Sequence, residues 1–362
     1  MGLRFSIVSL NWNGRRILGQ LLDKHISSLL GTEYDEFEVI FVDNGSDDDS
    51  IDYINSHYND PRLKILRLQK NYGFAKGNNL ALKVISKDAD VVVFINNDTV
   101  VKSDWLKELA RVFIDPKVGV AQPLILDLDT HAIQFMGGYA DQFGRSMTIG
   151  YSDEIMNRLL LKIIKISGFS PLQILWAYGA CIAVRRDILS KTGGFNELFL
   201  FSLEEQTICI PANALGYKVV LVPKSIVYHK GSATVKRLHL VKEYMRNTYL
   251  LLLIYYPFHM LLRGLLGRSL LEFFLSLRMR SGCRLMVFFQ VLVELFVNLR
   301  SIISHRRRSY KLSNNSLIIR TPILLTKQQH VSLTLTKLLE INLTRKRNKR
   351  NSGDEARYVK AY

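Results

Sequence analysis

Cysteine is scarce in this chain: three in 362 residues, at Cys181, Cys209 and Cys283, far apart and odd in number. No Cys-x-x-Cys pair and no cysteine–histidine zinc spacing occurs. That excludes a disulfide framework and points to a reducing compartment. Neither GxGxxG nor GxxxxGK[ST] is present, which excludes the dinucleotide fingerprint and the P-loop. No run offers the roughly 20 clean apolar residues of a membrane span. The N-terminal run RFSIVSLNWNG reads as a buried strand instead of a signal-peptide hydrophobic region. Carboxylates run short in one place only. Residues 1–235 carry 25 basic and 26 acidic side chains, whereas residues 236–362 carry 24 basic and 6 acidic. The net charge of +17 therefore lies in the last third. A near-neutral domain is followed by a cationic segment, and such a segment implies an anionic partner, nucleic acid or a lipid surface.

What is present first is alternation. FSIVSL, EVIFVD, LKILRLQ and DVVVFINND are short β-rich apolar runs, each followed by a polar or glycine-bearing turn and then helical periodicity. Ser46 or Asp47 can cap the helix beginning near Ser50. Strand, helix, strand, helix predicts an α/β domain with a mainly parallel sheet. Such sheets bind ligands beyond the carboxyl ends of their strands. Asn11, Asp43, Asn71 and Asp98 all fall at or just after those ends, which assigns them to one site.

Each motif has a bland reading beside its chemical one. VDNGSDD places Asp43 where it can accept hydrogen bonds from a ribose or base, but Asn-Gly is also plain turn chemistry. NYGFAKGNN reads as a loop in which Gly73 and Gly77 admit a phosphate and Lys76 adds charge. FINNDT offers Asp98 with Asn96 and Asn97, a carboxylate among amides that suits Mg²⁺ or Mn²⁺ on a diphosphate; a lone Asp after a strand also caps helices. FSLEEQTIC supplies Glu204 and Glu205, one of which can face a site as general base; a solvated pair favoured by a helix dipole is the alternative. YHKGSAT puts His229 after a strand, able to ligate a metal or bind phosphate, or simply a satisfied polar residue.

In order, the chain shows VDNGSDD, N-x-GF-x-x-G-N, NND, W-x-x-GA, GGF-N-E, an acidic pair, LGY and V-P-x-S-x-V-x-H-x-G-S. This series resembles the family 2 glycosyltransferases, particularly their rhamnosyltransferase-like branch, over about residues 3–250, including KEYMRNTYLLL. The resemblance implies a GT-A fold: a Rossmann-like nucleotide-binding half joined to an acceptor-binding half. It implies an inverting transfer of a sugar from a nucleotide diphosphate to an acceptor hydroxyl. By resemblance Asn11, Asp43 and the loop from Asn71 through Gly73 and Lys76 to Asn78 contact the donor. Asn97 and Asp98 match the end of the metal-binding motif. Trp176, Gly179 and Ala180 line the acceptor side, with Glu204 beside them, and His229 completes the Mg²⁺ or Mn²⁺ or diphosphate site. The acidic segment departs from the usual F-E-D-V-D-L-C-W-R: Glu205 stands for the base Asp, Thr207 for the second acid and Pro211 for Arg. The longer side chain shifts the carboxylate by about 1 Å, enough to matter for rate. Proline inside a helix costs about 3 kcal/mol, so the helix is expected to start there. Two outcomes follow: an active enzyme with altered acceptor geometry, or a degenerate nucleotide-sugar-binding protein.

The chain is thus expected to divide into a transferase domain (1–235), an amphipathic basic helical region (236–310) and a basic tail (311–362). TYLLLLIYYPFHMLL and RLMVFFQVLVELFVNLR, with Arg263, Arg268, Arg278, Arg280 and Arg284 between them, read as interfacial membrane helices; helices buried against the α/β domain are the alternative. Interleaving of cations with apolar helices suits lipid better than a nucleic acid. The expectation is a peripheral protein on the cytoplasmic face of an anionic membrane, acting on a glycan or lipid-linked acceptor.

Overall fold

In a computed structural model, the structure describes residues 2–140, 146–150, 154–231, 237–278 and 282–312. The N-terminal half runs β1 (Phe5–Asn11), α1 (Gly14–Leu18), α2 (Gln20–Leu30), β2 (Phe37–Asp43), α3 (Ser50–His57), β3 (Leu63–Arg67), α4 (Phe74–Ala81) and β4 (Val91–Asn96). Then come β5 (Thr99–Val101), α5 (Trp105–Val112), β6 (Val118–Asp127), β7 (Ile133–Ala140), β8 (Ser146–Gly150), α6 (Glu154–Ile166), β9 (Leu172–Ile174), β10 (Cys181–Arg185) and α7 (Arg186–Thr192). The chain continues through α8 (Gln206–Ala214), β11 (Lys218–His229), α9 (Arg237–Tyr255), α10 (Phe258–Arg278), α11 (Gly282–Val297) and α12 (Leu299–Leu312).

The sheet orders as β3-β2-β1-β4-β10-β6-β11-β5 among the described residues. Its first four strands are parallel, and β10 enters antiparallel between β4 and β6. β1, β2 and β4 are buried on both faces, as a parallel sheet under two helix layers requires. Register decides where the site falls. Asn11 pairs with Asp43, and Leu10 with Asn96, so three strands end flush.

Local expectations need correcting in three places. The helix near Ser50 starts after Asp49, not at a Ser46 or Asp47 cap; Ser46 Oγ instead accepts the Asn13 N–H at 2.8 Å. GFAKGNN is not loop: Gly73, at φ 78°, turns the chain and α4 begins at Phe74. Pro211 does not start α8 but lies inside it. Seven of that helix's residues are buried, and their packing outweighs one lost backbone bond.

A second core joins the loop before Glu204 to the C-terminal helices: Phe199 and Leu203 pack with Ile210, Met245, Tyr249, Phe288 and Val291. Contacts therefore cross the boundary expected near residue 236. Most of the apolar run at 248–256 is core, not surface; Pro257 ends α9 and the chain turns into α10. Arg268 and Arg284 are not free for lipid either, because both pair with the fully buried Glu272, at 2.6 and 2.8 Å. Arg263 is exposed. The side chains of Arg278 and His259, residue Arg280, and residues 313–362, nearly all of the expected tail, lie outside the described residues. No single described helix is long and apolar enough to cross a membrane; α11 and α12, bent by 68°, pass by length and composition only as a pair.

Candidate active site

The side expected to take the donor is built at the flush strand ends. The Asn11 amide, fully buried, donates to Asp43 Oδ1 and Ser46 Oγ, each at 3.3 Å, and its Oδ1 accepts the Asn97 amide at 2.8 Å. Asp43 Oδ2 also accepts the Ser46 N–H. These bonds tie together Asn11 and Asp43, at the ends of β1 and β2, and Asn97, in the turn after β4. Gly14 is what permits it: a Cβ there would stand 2.0 Å from Asn11 Oδ1. Next to them Asn44 donates to Asn71 Oδ1 at 3.0 Å and accepts the Tyr72 N–H at 2.9 Å. Asn71 Oδ1 takes the Gly73 N–H, shaping the turn into α4. Lys76 stands exposed on α4, over the Tyr72 ring and 3.9 Å from Glu197. Asn78 is buried, its amide bonded to Phe74 O of its own helix.

Beside Asn97, the Asp98 carboxylate meets His229 Nε2 at 3.3 Å, and His229 Nδ1 donates to Gln134 Oε1 at 2.6 Å. Burial pushes the Asp98 carboxyl up, but the His229 bond and charge together pull it below the ordinary carboxylate range. Behind them His25, fully buried, bonds Thr99 O and Ser9 Oγ, and burial lowers its pKa to about 4, so it is a neutral strut. The Nδ1–Gln134 bond orients the ring so that Nε2 faces Asp98 Oδ1. With the imidazole neutral, an Asp–His pair so placed would offer two acceptors to a cation. Two cis ligands of one octahedral ion stand about 3 Å apart, so the observed 3.3 Å fits Mg²⁺ or Mn²⁺. Among the described residues no cluster of three or more His, Cys, Asp or Glu could hold an ion. An ion here would draw its remaining ligands from water and a diphosphate.

The side expected to take the acceptor lies across Tyr178, whose ring stacks on Phe135 and stands edge-on to His229. Its neighbour Gly179 faces Glu205: a Cβ there would be 3.6 Å from Glu205 Oε2. Ala180 O accepts the Asn96 N–H and ties this strip to β4. Trp176 is buried, its ring filling the space over Gly138; it shapes the strip from below. The two glutamates separate. Burial raises Glu205 to about 7. Burial, then the Glu205 charge and the Glu243 charge of α9, raises Glu204 to about 8. Of the two, it is Glu205 that faces the glycine strip. Directly before them Ser202 and Leu203 hold φ 71° and 68°, a left-handed pair costing about 1–3 kcal/mol per residue. Thr207 Oγ1 donates to Glu204 O at 2.6 Å and accepts the Asn196 N–H at 3.0 Å. In place of a second acid, it pins the GGFNE loop.

A line of contacts therefore runs from Asn71 and Asp43 through Asn11, Asn97, Asp98, His229 and Tyr178 to Gly179 and Glu205. Trp176 and Asn78 lie off it, both buried. Gly14, Asn44 and Gln134 carry the geometry without having stood out by type; Ser46 had stood out only as a helix cap and Thr207 only as the replacement of an acid. Only the fixed offset of Gly14 from Asn11 was a usable signal.

Comparison with known proteins bears on the family and the fold. A family profile described as glycosyl transferase family 2 matches residues 6–192. The chain is 29% identical over 228 residues to the O-antigen biosynthesis protein RfbC of Myxococcus xanthus, covering 59% of this chain and 16% of that protein. It is 25% identical over 245 residues to the N-acetylglucosaminyl-diphospho-decaprenol L-rhamnosyltransferase of Mycobacterium tuberculosis, covering 60% of this chain and 74% of that one. Several curated relatives are much longer: the chain spans 16% to 23% of their length. Among solved structures, GalNAc-T7 with UDP, GalNAc and Mn²⁺ superposes with a TM-score of 0.54 at 16% identity, covering 71% of this chain and 49% of that one. The shared fold is that of the GT-A glycosyltransferases.

Proposed function

The chain belongs to glycosyl transferase family 2, and on that premise we propose that it is an inverting, metal-dependent glycosyltransferase. Its substrates are a nucleotide diphosphate sugar and a hydroxyl of a lipid-linked glycan. The observation that carries the reading is the position of Glu205: a buried carboxyl, raised to about 7, facing the Gly179 strip beside the Asp98–His229 pair.

Asp43 and Asn11 would bind the nucleoside, with Asn71 and Gly73 shaping the adjoining turn. Lys76 would attract the diphosphate. Asp98 and His229 would hold the divalent ion, and Gln134 keeps the imidazole in the tautomer that can do so. The ion, when bound, supplies positive charge against that developing on the leaving diphosphate. Glu205 takes the proton of the acceptor hydroxyl. That oxygen forms its bond to the anomeric carbon as the bond to the diphosphate breaks, and one displacement inverts the centre. A base near neutrality is matched to this task, since it is ionised at working pH yet basic enough to accept the proton.

The helical layer supports a peripheral place on an anionic, cytoplasmic membrane face. Phe258, Leu262, Leu266, Leu270, Phe274 and Leu277 of α10 recur at three- and four-residue spacing and are exposed, and Met286, Phe289, Val293, Phe296 and Val297 of α11 are exposed likewise. Neither acidic residue of α10–α12 is free, because Glu272 and Glu294 are both paired. Exposed cations there are Arg263, Arg300, Arg307, Arg308 and Lys311. Flotation with anionic vesicles and not with zwitterionic ones is expected; no flotation with either removes the membrane.

The enzyme reading is tested by slow hydrolysis of a panel of nucleotide sugars with Mn²⁺, Mg²⁺ or EDTA. Metal-dependent cleavage of one donor is the expected result. Uncleaved donors in protein that binds nucleoside diphosphate would leave a degenerate binding protein.

A further inference from the structure

The acidic turn does not hold itself. Ser202 and Leu203 are consecutive non-glycine residues in the left-handed region, and Glu204 and Glu205 follow at once. Relaxing either φ would swing the carboxylates, because the turn leads straight into α8 with Glu205 at its N-cap. Something must keep it in place.

We propose that Asn247, on α9, is a positioning residue for the Glu204–Glu205 turn. Its side chain is fully buried. Both hydrogens of its amide are used on the turn: Nδ2 donates to Phe201 O and to Ser202 O, each at 2.7 Å. Its Oδ1 accepts from Arg246 Nη1 at 3.1 Å, and the same nitrogen donates to Leu198 O at 2.8 Å. The guanidinium is anchored in turn by Glu294 of α11, at 2.5 Å, with Glu243 at 3.7 Å. Two neighbouring residues of one helix therefore grip three carbonyls of the segment 198–202. A buried amide with both donors on consecutive carbonyls dictates where those carbonyls point, and so which way the strained residues turn. Asn247 touches no substrate in this arrangement. It acts through Glu205, so the inference rests on Glu205 being the base.

The experiment uses the full chain with Asn247→Asp, which keeps size and replaces the donors by acceptors, and Asn247→Leu, which removes all polar function. UDP-GlcNAc with Mn²⁺ is the probe, followed by initial rates, UDP affinity and amide hydrogen exchange. We expect kcat to fall roughly 10- to 100-fold, as a displaced base predicts, with KM and UDP affinity within about twofold. Exchange should quicken in 198–206 and stay unchanged in β1, β2 and β4. Ser202→Gly should by itself be tolerated, since glycine adopts a positive φ freely, and should restore part of the Asn247→Asp loss. A kcat within about threefold of wild type overturns the proposal. So does faster exchange throughout the protein, which is the mark of a merely structural residue. Should wild type leave UDP-GlcNAc intact, the exchange pattern decides alone. Should both variants fail to fold, exchange in 198–206 of Ser202→Gly decides: slower than wild type supports a strained turn held from outside, and no change refutes it. Glu205→Gln separates the two readings: full activity there removes the base, whereas unaltered exchange at 198–206 in the Asn247 variants removes the clamp.

Discussion

The two ends of the candidate site are held by different means. At the donor end, Asn11, Asp43 and Asn97 lie in or just after strands that already run side by side, and their bonds follow from the register of a parallel sheet. At the acceptor end, Glu204 and Glu205 follow a strained turn gripped by a helix more than forty residues later in the chain. The donor end is set by strand register and shares its stability with the main core. The acceptor end is a loop clamped from a second core, and its geometry can change without disturbing the sheet. That difference makes drift in the acidic motif tolerable: Thr207 replaces an acid and becomes a staple, and Pro211 enters a helix held by packing.

The contrast can be tested by striking each end. The largest effect is expected at Glu205→Gln, which should lower transfer about 10²- to 10⁴-fold while nucleoside diphosphate affinity, measured by calorimetry, stays unchanged. Unaltered transfer would remove Glu205 as base. Gln134→Leu strikes the boundary between the ends. Loss of the partner that orients His229 should weaken Mn²⁺ binding roughly 10- to 100-fold, read by titration with UDP present; unchanged affinity would mean that His229 is not a ligand. Gly14→Ala strikes the donor end alone. A methyl 2.0 Å from Asn11 Oδ1 must displace the Asn11–Asn97 bond, costing about 1–3 kcal/mol of stability. It should weaken UDP binding with little change in exchange at 198–206. The reverse pattern would show that the ends are not independent.

The smallest effect is in pH. Glu204 and Glu205 hold their protons to about 8 and about 7 in the folded chain, against an ordinary value of 4.5. Between about 4.5 and 7 the folded state therefore binds more protons than the unfolded one. Stability falls as pH rises through that window. Glu204→Gln should match wild type in thermal unfolding at pH 4 and exceed it at pH 8. Equal unfolding temperatures at pH 8 would show that Glu204 is not buried as a carboxylate. In the same range kcat/KM should rise with pH toward a plateau above about 7, as Glu205 ionises.

Much of the donor end was readable beforehand. The β-rich runs ending in Asn11, Asp43 and Asp98 coincide with β1, β2 and the turn after β4, because a strand buried on both faces writes a continuous apolar run and stops where polarity begins. The GFAKGNN segment was misplaced, since glycine and asparagine signal a loop by composition while Gly73 ends the loop and starts a helix. The arginines between the C-terminal helices misled for a related reason. Arg268 and Arg284 look like a cationic flank in one dimension, and only folding brings both to Glu272.

The sequence by itself determined the order of the first four strands and the helices between them, the polar residues at the strand ends, the identity of the acidic pair and the cationic character of the last third. These depend on patterns within a few residues. Tertiary structure alone decided which glutamate faces the glycine strip, that Trp176 and Asn78 lie beneath the rim, that 248–256 is core, and that Asn247 grips the acidic turn. Each of these depends on where a side chain points once distant segments pack, and packing is set by contacts between residues that no local pattern relates.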